Sequence, residues 1–117
     1  MKNKTKAFLK MLLIELEDVE EDFKILLQTC DSRHEKEEIT HYVHYENRAT
    51  YENQIINIKR CVEFIEKINP DNFSSLDALT THLSNIFQDQ VDKRWITNSL
   101  FQIIKEKEKK IKNYIEQ

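Results

Sequence analysis

At 117 residues, with a formal charge of -3, 39% hydrophobic and 33% charged side chains, the chain has the length of one domain and enough apolar residues for a single core. It contains no Gly and one Pro, which excludes a Walker loop, a dinucleotide fingerprint and a Gly-x-Ser-x-Gly nucleophile elbow. The longest apolar run, residues 11–14, falls far short of the roughly 18 to 20 residues of a membrane span.

The first helix is expected over residues 6–30. Leu9, Leu12, Leu16, Val19, Phe23, Leu26 and Cys30 recur at alternating steps of three and four, with Phe8, Leu13 and Leu27 widening the stripe beyond a two-helix seam. Its other face carries "ELEDVEED", six acids without a base, the outer surface of a helix or a dock for a basic partner. Ser32 with Glu35 three residues on reads as a capping box, so a second helix is expected over 33–69. Nothing interrupts it before Asn69-Pro70, where proline pushes the preceding residue out of helical angles. At about 36 residues it would be on the order of 54 Å long. A helix of that length either kinks near residues 46–50 or projects one half beyond its neighbours.

"NPDNFSS" marks a turn, after which Leu76, Leu79, Leu83, Ile86 and Phe87 predict a third helix over 75–90. Trp95, Ile96, Leu100, Phe101, Ile103, Ile104, Ile111, Tyr114 and Ile115 predict a fourth over 93–115, either capped by Asp89 or Asp92 or continuous with the third through a bend, with "KEKEKKIK" as a solvated run. The expected fold is therefore all-α: one helical domain, 1–117, folded as a four-helix, largely up-down antiparallel bundle with an over-long second helix. Its expected core is Leu12, Leu16, Val19, Phe23, Leu26, Ile58, Val62, Ile65, Leu79, Leu83, Ile86, Leu100 and Ile104.

Function turns on "THYVHYENRATYENQ", residues 40–54. The Ile55, Ile58, Val62, Ile65 stripe continues through it as Tyr51, Arg48, His44 and His41, so an apolar line becomes polar. One use of these residues is metal binding: Glu38 and His41 form a Glu-x-x-His unit, with His34 and His44 one turn to either side, and imidazole plus carboxylate suits zinc, iron or manganese. A di-iron carboxylate site needs a second such unit and two more inward glutamates, which the chain lacks. A catalytic use would make His41 or His44 a general base, with Arg48 holding an anion beside Tyr51. No complete catalytic motif surrounds them.

The third use is an interface. Tyr42, Tyr45, Arg48, Tyr51 and Trp95 combine apolar bodies with polar tips, the composition enriched at protein contacts. The expected function is a small non-enzymatic protein–protein interaction module, regulatory or adaptor-like, self-associating as a homodimer through helix two. The alternative is a metal-binding bundle, sensor or metal-dependent enzyme, using Glu38, His41 and His44. No cofactor is expected, and no membrane partner. Nucleic acid is disfavoured because Glu106, Glu108 and Glu116 dilute the lysines of the C-terminal run and no aromatic or Arg interleaves with them. Cys30 and Cys61 are too few for a disulfide scaffold, which points to a reducing cytoplasm. The abundance of Lys, Ile and Asn fits an AT-rich coding sequence, as in a low-GC bacterium or its phage.

Overall fold

The computed structural model describes residues 2–117 and is built of four helices, α1 (Lys2–Glu35), α2 (His41–Glu66), α3 (Leu76–Asp92) and α4 (Asn98–Ile115), with a single 3-10 turn at Pro70–Asn72. They pack up-down-up-down. Lys107 of α4 reaches Glu15 of α1 at 3.4 Å, Lys112 pairs with Asp77 of α3, and Gln54 of α2 meets Ser99 at the start of α4 at 3.4 Å. These cross-links run α4 antiparallel to α1 and α3 and alongside α2. The all-α four-helix bundle expected from the sequence is the observed fold.

The expected over-long second helix is not observed. α1 is the longest at 34 residues, and α2 has 26. Ser32 and Glu35 lie inside the last turns of α1, because nothing in "CDSRHE" prevents helix and Arg33 and His34 suit the negative C-terminal end of its dipole. The helix stops where Glu37 takes φ 60, letting Glu38 N–H donate to the Arg33 carbonyl at 2.9 Å. Thr40 is the true cap of α2: its Oγ1 accepts from Val43 N–H at 3.1 Å.

The other boundaries shift by the same local chemistry. α2 ends at Glu66, and the Asn69 side chain caps the 3-10 turn by accepting from Asp71 N–H at 3.0 Å. Ser75 caps α3, which runs on to Asp92. Asp89 and Asp92 do not cap α4; Thr97 does, accepting from Leu100 N–H at 3.1 Å. Trp95 therefore lies in the α3–α4 loop and not in the fourth helix. That loop turns at Arg94, φ 62, with Trp95 N–H donating to the Gln90 carbonyl at 2.9 Å.

Phe8, Leu12 and Leu16 from α1, Ile58 and Ile65 from α2, Leu79, Leu83 and Phe87 from α3, and Leu100 and Ile104 from α4 fill a dry centre. Of the expected core, Phe23, Val62 and Ile86 sit half-buried at its edge, while Leu26 is 42% exposed and belongs to no core. The reason is length. α3 has 17 residues and α4 has 18, about 25 Å each, against about 51 Å for α1. Beyond the level of Gln54 and Thr97, α1 and α2 continue as a two-helix arm, which gives the molecule its 54 × 29 × 20 Å outline. The projection inferred for one helix is thus shared by two.

Both cysteines are buried free thiols. Burial pushes the Cys61 thiol up to about 12, so it stays protonated and packs as a small apolar side chain. No described helix is long and apolar enough to cross a membrane.

Candidate docking face and the polar tip of the arm

In the arm, α1 and α2 have only each other to pack against, and polar groups tie them together. Asp31 of α1 is the centre: its Oδ1 lies 2.7 Å from His44 Nε2, and its Oδ2 accepts from Arg48 Nη1 at 2.5 Å. Hydrogen bonds from His44 and Arg48, in that order of effect, hold the Asp31 carboxyl below the usual carboxylate range, and the same Asp31 contact raises Arg48. Arg48 also grips Glu52 one turn on, at 2.8 Å. A guanidinium shared between two carboxylates is a strut, pre-organised by its fixed fork of donors.

At the tip, the His34 ring stacks on His44 with centroids 4.0 Å apart and meets His41 edge-on, with His34 Nε2 2.6 Å from His41 Nδ1. A bond between two imidazole nitrogens needs one ring to keep a lone pair.

These pairings separate the residues of the metal alternative. Glu38 faces Arg33 at 3.4 Å, His41 faces His34 and His44 faces Asp31, so the three side chains point to three different partners. Among the described residues no three of His, Cys, Asp or Glu are placed to hold one metal ion. The stacked geometry of His34 on His44 explains it: parallel rings direct their nitrogens side by side and not toward a common point.

The residues expected at an interface do not share one surface, and Trp95 lies off α2 in the α3–α4 loop. Arg48 is committed to the strut, and Tyr51 is half-buried in the arm. Tyr42 and Tyr45 project outward, 73% and 72% exposed. They begin an outer line, Tyr42, Tyr45, Ala49, Glu52 and Ile56, at alternating steps of three and four, on which Ile56 is also half exposed. Below it the Arg60 guanidinium donates to the Trp95 carbonyl at 3.1 Å and pins the α3–α4 loop against α2.

Comparisons with family models, curated proteins and solved structures find no match to this chain. From sequence Asp31 reads only as an acid beside the Ser32 cap and Phe64 only as core, and no functional role attaches to Asp31 or to the cleft residues around Trp95, chiefly Arg60, Phe64, Lys67 and Arg94. Asp31 had a legible signal, since its spacing to His34 places both on one face of α1. The cleft had none, because it depends on which loop folds back onto α2.

Proposed function

We propose that the protein is a non-enzymatic docking module, regulatory or adaptor-like, that self-associates through the outer face of α2. The observation that carries the reading is a line on the outer face of α2 on which Tyr42, Tyr45 and Ile56 are each at least half exposed. Tyr42 and Tyr45 project from a helix that the neighbouring Asp31–Arg48 strut ties to α1. Tyrosines on a braced helix lose little freedom when a partner covers them, and their rings supply most of the contact area. A second copy offers the same line, and a two-fold axis would set the two α2 helices against each other.

Sedimentation velocity at micromolar concentration tests this. The wild-type chain is expected to dimerise, and Tyr42→Ala with Tyr45→Ala to weaken the dimer by about thirtyfold or more, the effect of losing an interface hot spot. A wild-type chain that stays monomeric overturns the proposal.

A further inference from the structure

Two adjoining clefts meet at Trp95. One, of about 210 Å³, is lined by Arg60, Glu63, Phe64, Lys67 and Trp95; the other shares Arg60 and Trp95 and adds Arg94. Trp95 is half exposed, and the Lys93 ammonium sits 5.3 Å from its ring centroid. The result is an aromatic floor, Trp95 and Phe64, with a rim of Arg60, Lys67 and Arg94 against the single carboxylate of Glu63. The hydrogen bond Arg60 makes to the Trp95 carbonyl is to a neutral group, so its charge is available to the rim.

The complementary surface is on the same chain. Of the six acids in "ELEDVEED", Glu15 is held by Lys107 and Glu20 by Lys24, while Glu17, Asp18, Glu21 and Asp22 are exposed. Glu17 faces Glu21 and Asp18 faces Asp22 one turn apart, so the helix carries like-charge pairs, with Lys24 the nearby cation that Glu21 also acts on. Ile14 and Ile25, 56% and 51% exposed, bracket this patch on the line Ile14, Asp18, Glu21, Ile25. An acidic strip flanked by isoleucines is complementary in charge to an aromatic floor rimmed by cations.

We infer that the Trp95 cleft receives the Ile14–Ile25 segment of α1 from a second copy of this chain. The inference rests on the proposed self-association and names the partner surface for the lower end of the α2 face. Acidic side chains meet Arg60, Lys67 and Arg94, and an isoleucine covers the Trp95 ring. Charge pairing of this kind sets register and falls off as salt rises.

Trp95 is the chain's single tryptophan, so its emission reports this cleft alone. In low salt the full chain should show a blue shift of Trp95 emission that grows with concentration in step with dimer formation by sedimentation. Arg60→Glu with Arg94→Glu, and separately Asp18→Lys with Glu21→Lys, should each weaken association by about tenfold or more. An equimolar mixture of the two variants should restore both the dimer and the blue shift, which also shows that each variant is folded. If both variants dimerise like the wild type, or the mixture regains nothing while circular dichroism shows both folded, the inference is overturned and the α2-face reading stands. A wild-type chain that remains monomeric overturns both.

Discussion

The same two helices pass through two regions that are stabilised differently. In the bundle, the inner faces of α1 and α2 are closed by α3 and α4, and Leu12, Leu16, Ile58 and Ile65 are sealed from water. In the arm the third and fourth helices are missing. The equivalent inner positions hold Asp31, His34, His44 and Arg48, and Cys30 is the one buried apolar residue there. Two helices alone cannot exclude water from a seam, so an apolar stripe would stay half wet; hydrogen-bonded charges tolerate that condition. The change from Ile and Val to Tyr, His and Arg along α2 marks where the bundle's second layer ends.

The largest test of this contrast is a pair of equal truncations. Leu83→Ala, at a site with no exposure, is expected to cost about 2 to 5 kcal/mol, because it removes buried methyl groups and leaves a cavity. Leu26→Ala, 42% exposed in the arm, is expected to cost under about 1 kcal/mol. Urea denaturation measures both. Equal costs would mean that the arm has a core of its own, and the contrast would fail.

The two regions should also answer pH with opposite sign. Glu108 occupies the core line of α4 between Ile104 and Ile111, 7% exposed, and its Oε1 has no hydrogen-bond partner. Burial pushes its carboxyl up to about 7, opposed by nearby Lys105. The folded chain keeps this proton where the unfolded chain has released it, so stability is full below the ordinary glutamate range and declines as pH rises through about 7. The whole effect is about 3 kcal/mol. Glu108→Gln should flatten that decline, and Glu108→Leu should raise the melting temperature most above neutral pH. A wild-type melting curve that does not change between mildly acid and mildly alkaline buffer would remove Glu108 from the core.

Asp31 behaves in the reverse way. Its carboxyl is held low, so its contribution is present above the ordinary aspartate range and is lost as pH falls through the folded value. Acid therefore loosens the arm while it favours the bundle. Hydrogen exchange should show arm amides, residues 24–53, losing protection in acid while α3 is unchanged, and Asp31→Asn should open the arm already at neutral pH. Uniform loss of protection across both regions would show that arm and bundle unfold as one.

Much of the bundle was legible because apolar periodicity encodes it: the Leu12, Leu16, Val19 stripe, the Leu79, Leu83 stripe and the Leu100, Ile104 stripe all pack as their spacing requires. Glu108 was hidden in "KEKEKKIK", where a buried acid looks like its solvated neighbours. The exposure of Leu26 was hidden for a different reason, since its spacing is correct and only the shortness of α3 and α4 leaves it uncovered. Of the residues expected at an interface, Tyr42 and Tyr45 are exposed, while Arg48 turns inward to Asp31, seventeen positions away. Pairings at that distance depend on the hairpin register, which a single helix period does not contain.

The smallest expected effect bears on the feature that misplaced the helix boundaries. A chain without glycine still has to end its helices, and here α1 and α3 end with Glu37 and Arg94 in the left-handed region, φ 60 and φ 62. There a Cβ crowds the following carbonyl, at a cost of about 1 kcal/mol that glycine does not incur. Glu37→Gly and Arg94→Gly should each recover about that amount, less the extra freedom glycine gives the unfolded chain. The two gains should not register alike. Arg94 sits at the top of the bundle, so its glycine variant should raise the global melting temperature. Glu37 sits at the hairpin tip, and if the arm opens before the bundle unfolds, its glycine variant should instead slow exchange of the tip amides and leave the melting temperature in place. Should Glu37→Gly raise the melting temperature as much as Arg94→Gly does, arm and bundle melt together, and the boundary at Gln54 divides two styles of packing within one cooperative unit.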